Sequence, residues 1–210
     1  MPFGSLGFET LVNMLIVFPI LAAIVLSEAA VVGEYGSGVA AWTVSKPVSR
    51  AGYIAAKLAG LWIGLSVTAI FIPASVAYWW LPKVQPYRFV TPVAPPLGRF
   101  LATLLIASLV VAFFITLTGF VGVLIRRRGV VALISLFSFV LIRVPRRELW
   151  DGWDTYTPAG LISTDLRGWS AITEYVYGDP LTATSAVLWT VIASVMFTVG
   201  AMLFYRRLEL

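Results

Sequence analysis

The chain has 210 residues, 60% of them hydrophobic and only 12% charged, with a mean hydropathy of +0.92. A soluble domain carries about 25% charged residues, so a soluble enzyme, a disordered tail and a small disulfide scaffold are excluded, and an all-α integral membrane protein is predicted. Cys and His are both absent, which removes disulfides, thiol nucleophiles, histidine bases and the usual zinc and haem ligands; the net charge of +5 reads as loop charge that sets topology, not as a nucleic-acid surface.

A bilayer core of about 30 Å needs roughly 20 apolar residues in a helix. In chain order the predicted spans are 11–32, 58–81, 100–125, a short run at 129–144, and 181–205. Together they make one transmembrane domain over 1–210. Pro19 and Pro73 fall inside spans, where neighbouring helices satisfy the freed carbonyls and the expected effect is a kink. Tyr78, Trp79 and Trp80 close the second span and Tyr205 the last, as aromatic rings at the headgroup level do. The segment 145–180 mixes tryptophans and tyrosines with six acids. It is too polar to span, and short interfacial or re-entrant helices are expected there.

Lys and Arg are nearly balanced between alternate loops, but the runs 126–128 and 206–207 lie directly against span ends. Those runs place 33–57 and the carboxyl terminus in the cytoplasm of a multi-pass cell-membrane protein. Single cysteines test this orientation. Gln85→Cys is expected to label from outside intact cells with an impermeant thiol reagent, and Ser45→Cys is not.

Few residues carry chemistry. Glu9 and Glu28 sit near or within the first span, and both are expected at the interface or paired. Asp151 and Asp154 are spaced like one solvated helix face, and no span carries a pair of acids. Ser and Thr have no His or Cys to activate them. No phosphate-cradling loop ending in Lys-Ser/Thr is present, so the chain is not expected to be an enzyme or to hold a cofactor or metal. Ala55, Ala59, Gly60 and Gly64 on the second span, with Gly119 and Gly122 on the third, permit close helix approach, either within the chain or to a second copy.

The segment 33–50 is the most informative. Gly36 and Gly38 let the backbone leave the first span. Val39, Trp42 and Val44 form an apolar patch with no lipid-spanning use. Pro47 stops it, and Ser49 is placed to cap the next helix. A short apolar helix at the membrane surface is a docking element.

These residues resemble the loop between the second and third spans of type-2 ATP-binding-cassette exporter permeases. Glu34, Gly38, Val44-Ser45, Pro47-Val48-Ser49-Arg50 and Lys57 match that family's pattern, with Val39 where the family often has Thr. More weakly, Thr157-Pro158-Ala159 resembles its turn before the outer re-entrant helices, and the ending from Phe204 to Glu209 resembles its basic terminus. The resemblance implies a permease subunit that pairs with a second permease copy or a related one. It also implies a separate ATPase subunit docked through Glu34, Gly36, Gly38, Val39, Trp42, Val44, Pro47, Arg50 and Lys57. The family has six spans, and this chain starts at what would be the second. A late-placed start, a span supplied by another polypeptide and a true five-span variant are the alternatives. A non-transporting membrane scaffold or assembly factor is the competing function.

Overall fold

A computed structural model describes residues 6–33, 49–84, 95–143, 154–164, 170–177 and 179–206. The described residues are helical with no strand. In lipid this is the expected outcome, because a helix satisfies its backbone groups internally. Helix α1 is Leu6–Val31, with Pro19 inside it. Helix α2, Arg50–Leu65, passes into a π-helical turn at Ser66–Phe71 and then into α3, Ile72–Val84. Helix α4 is Leu97–Ile125 and α5 is Arg128–Arg143. After a 3-10 turn at Asp154–Tyr156 come the short α6, Ala159–Ile162, and α7, Ala171–Tyr177, then α8, Thr184–Arg206.

Four of these are long and apolar enough to cross a membrane: Thr10–Val31, Ala51–Trp80, Leu97–Ile125 and Thr184–Arg206. The expected fourth span is the exception. Helix α5 has 16 residues, about 24 Å at 1.5 Å per residue, which falls short of a core of about 30 Å. The sequence expectation of five spans thus becomes four full-length helices and one short one. The expected short helices between the short run and the last span are present as α6 and α7.

Local chemistry sets the helix ends. Ser49 caps α2 as expected, its Oγ accepting from the Gly52 N–H at 3.1 Å. Pro73 follows two residues after the π turn. It has no N–H to give the ladder, and the last wide-turn bond runs from the Ile72 N–H to the Val67 carbonyl. Helix α4 closes on Arg126 at φ 56°, whose N–H reaches the Gly122 carbonyl at 3.1 Å. Glycine is the usual occupant of that left-handed closing position, and an arginine there costs about 1–2 kcal/mol.

Helix α4 is the central rod. Of its most apolar stretch 72% is buried, against 11% for α8. Phe114 is fully buried and meets Phe113 at 5.3 Å and Phe139 of α5 at 5.7 Å, both edge-on. Helix α8 lies along α4 through Phe120, whose ring stands 5.6 Å from Phe197 and 6.0 Å from Phe204.

The small residues divide between two roles. A Cβ on Gly119 would lie 2.7 Å from Leu58 Cδ2, and one on Gly122 would lie 3.1 Å from Val32 Cγ2. These two glycines let α2 and α1 approach α4. Gly60 and Gly64 have nothing within 4 Å of an added Cβ, so packing within the chain does not require them. Gly119→Leu is therefore expected to overpack the α2–α4 contact and cost about 1–3 kcal/mol. Gly60→Leu should leave stability within about 0.5 kcal/mol. Denaturation of the two variants in detergent checks the contrast.

Candidate functional site

The bundle has two chemically distinct ends. At one, α1 finishes, α2 starts, α4 turns into α5 and α8 finishes. This end carries Lys57, Arg126, Arg127, Arg128 and Arg206, with the half-buried Glu28 of α1 as the acid at this end among the described residues. At the other end α6 and α7 pack over the helix termini, burying Leu161, Ile162, Ile172 and Val176.

The basic end is organised around the exit of α1. The last carbonyls of a helix lack donors from their own helix and carry the negative end of its dipole. Lys57 Nζ donates to the Ala30 carbonyl at 2.7 Å and to the Tyr53 hydroxyl at 3.1 Å. It also stands 4.9 Å from the centre of the Tyr53 ring. Tyr53 in turn meets Tyr205 of α8 at 6.3 Å. From the other flank Arg128 covers Gly33, where an added Cβ would sit 2.5 Å from Nη2. Cations from α2 and α5 thus bracket the last turn of α1, just where 34–48 departs.

Of the expected site residues, only Lys57 has a described side chain. Glu34, Gly36, Gly38, Val39, Trp42, Val44 and Pro47 lie outside the described residues. Arg50 heads α2, and its side chain also lies outside them. Lys57 is at the basic end, bonded to the α1 terminus and to Tyr53. Tyr53 and Arg128 were not anticipated. Tyr53 stands four residues before Lys57, a spacing that puts both on one helix face and marks the pair in the sequence. Nothing in the sequence marks Arg128 as a cover for Gly33.

Two further polar clusters lie inside the bundle. Trp62 Nε1 donates to the Ser108 carbonyl and to Ser108 Oγ, both at 3.0 Å, and the Ser66 and Ser108 hydroxyls are 2.7 Å apart. Thr118 Oγ1 donates to Ser135 Oγ at 3.0 Å. These are neutral interhelical bonds. They hold neighbouring helices together. Among the described residues no group of three or more His, Cys, Asp or Glu is placed to hold a metal ion.

The covered end is tied by its own contacts. Tyr78 OH donates to the Pro95 carbonyl at 2.9 Å, and the Tyr78 ring meets Phe100 at 4.8 Å. The Arg99 guanidinium lies 5.7 Å from the Tyr175 ring of α7. Arg143 reaches Asn13 Oδ1 at 3.4 Å and the carbonyl of Ile162, the last residue of α6, at 3.5 Å. The Thr157-Pro158-Ala159 turn starts α6, with the Gly160 N–H on the Thr157 carbonyl at 3.1 Å.

Protein-family models, curated proteins and solved structures all give no match to this chain.

Proposed function

We propose that this chain is the permease subunit of an ATP-binding-cassette transporter of the type-2 exporter kind, working with a second permease copy and a separate ATPase subunit. The observation that carries the reading is the Lys57–Ala30 bond at 2.7 Å across 27 residues of sequence. It ties α2 to the end of α1, the two helices that 34–48 connects in sequence. A load on that segment then reaches α1 and α2 together. Val39, Trp42 and Val44 would seat in a groove of the ATPase, with Trp42 as the anchor, since buried aromatics dominate interface energies. ATP-driven movement of the ATPase pair would tilt the helices that meet at the basic end. Gly60 and Gly64, open on the outside of α2, leave a face on which the helix of a second copy can pack closely.

The test is capture of an ATPase. Purified from its native membrane, the protein is expected to bring down a polypeptide with a phosphate-binding loop. Trp42→Ala and Gly38→Pro should leave the protein inserted while cutting ATPase capture and ATPase stimulation in reconstituted vesicles by about tenfold or more, as loss of an aromatic anchor worth 2 kcal/mol or more does. Wild-type capture and stimulation by both variants would end the docking role of 34–48.

A further inference from the structure

We infer that the arginine turn between α4 and α5 holds the phosphate of an anionic phospholipid, whose acyl chains lie along the outer face of α5. Three observations meet there. The first is the charge. Arg126, Arg127 and Arg128 are consecutive and exposed at an end that also carries Lys57 and Arg206, against Glu28 as the acid there among the described residues, so the turn is net positive. A choline or ethanolamine headgroup would bring a further cation against them, whereas a headgroup with net negative charge would not. Guanidinium groups also match phosphate oxygens in a bidentate geometry.

The second is the backbone. Arg126 closes α4 at φ 56°, where glycine or asparagine would relieve the strain. A strained residue points to a use for its side chain, and here that side chain is a guanidinium at the end of a membrane helix.

The third is the surface that continues from the turn. Val131, Ser135 and Phe139 face inward. Val130, Leu133, Phe137 and Val140 repeat every three or four residues on the opposite face, and Leu133 and Phe137 are 69% and 65% exposed. This stripe begins four residues after Arg126, so an acyl chain can run along it while the phosphate stays at the turn. Helix α5 is also about 6 Å shorter than the hydrocarbon core. Long arginine side chains at its end bridge that difference by reaching toward the headgroup layer.

The inference does not depend on the transport reading, and its test reads lipid alone. The protein is placed in nanodiscs of mixed phosphatidylglycerol and phosphatidylcholine, and the lipids it retains on release are measured by native mass spectrometry. Wild type is expected to enrich phosphatidylglycerol. Arg127→Gln, and Arg126→Gly combined with Arg127→Gln, should lower that enrichment about fivefold per arginine removed. Thermal unfolding in phosphatidylcholine alone should show both variants folded, with Arg126→Gly no less stable than wild type. Equal retention of the two lipids by wild type, or undiminished enrichment by the folded variants, would overturn the proposal. Displacement of the lipid by inorganic phosphate would reassign the turn to a free anion. Disulfide cross-linking of Leu133→Cys between two chains would give the α5 face to a second copy instead.

Discussion

Lys57→Met should lower the stability of the protein by about 1.5–3 kcal/mol, the range for loss of a hydrogen bond from a charged donor. Methionine keeps the length and apolar stem of the side chain, so the change isolates the ammonium. Its loss removes the donor at 2.7 Å from the Ala30 carbonyl and one hydrogen bond, at 3.1 Å, from the Tyr53 hydroxyl. The carbonyl belongs to the end of a helix whose dipole already favours a cation there. Lys57→Arg should recover part of the loss, because it keeps the charge but not the compact tetrahedral donor. Urea or guanidinium titration in detergent micelles reads both variants. A stability equal to wild type for Lys57→Met would show that the bond does not hold the α1 terminus.

Phe114→Ala should cost about 2–4 kcal/mol. In water a buried Phe→Ala costs 3–5 kcal/mol, made up of lost transfer energy and the cavity left behind. Lipid tails are as apolar as the interior, so much of the transfer part falls away and the cavity and ring contacts remain. Phe114 is 0% exposed on the central helix and meets both Phe113 and Phe139 edge-on. Each such pair contributes about 0.5–1.5 kcal/mol beyond area. The loss should fall on the α4–α5 contact, because Phe139 supplies the α5 side of the ring stack. Phe114→Leu should recover most of it. Proteolysis near α5, followed with temperature, would show whether that helix loosens before the rest.

The spans were legible because twenty apolar residues in a row have few other uses. What the sequence blurred was where they stop. The second was expected to begin at residue 58, since Lys57 interrupts the apolar run, yet α2 starts at Arg50. A lysine can lie inside such a helix when its ammonium reaches a carbonyl, and a distant partner such as Ala30 is invisible to local periodicity. Arg99 hid the start of α4 in the same way, two residues after Leu97. The shortness of α5 could be read directly, as could the Ser49 cap. The π turn at Ser66–Phe71 could not: Pro73 predicted a kink without specifying a widened turn. At the basic end the Tyr53–Lys57 pair could be read from its spacing, while Ala30, Arg128 and Tyr205, on three other helices, needed the fold.

The second span is held at three levels. Lys57 fastens its lower end to α1, Ser66 and Trp62 clasp it to Ser108 at mid-height, and Tyr78 fastens its upper end to Pro95. Directly above the clasp the backbone widens over Ser66–Phe71, and Pro73 removes a donor from the ladder. Thr68 Oγ1 bonds back to the Gly64 carbonyl at 2.7 Å, a contact that bends helices. Stiffness along this rod is therefore uneven. Below the clasp it is an unbroken α-helix fixed to the bundle, and above it the ladder is widened by the π turn and lacks the donor that Pro73 cannot supply. A sideways push on the lower half is not carried to the upper half as a rigid rotation. A widened turn beside a proline is where a helix bends most readily. Such a push would be taken up there as a change of angle, the turn acting as a fulcrum between two levers.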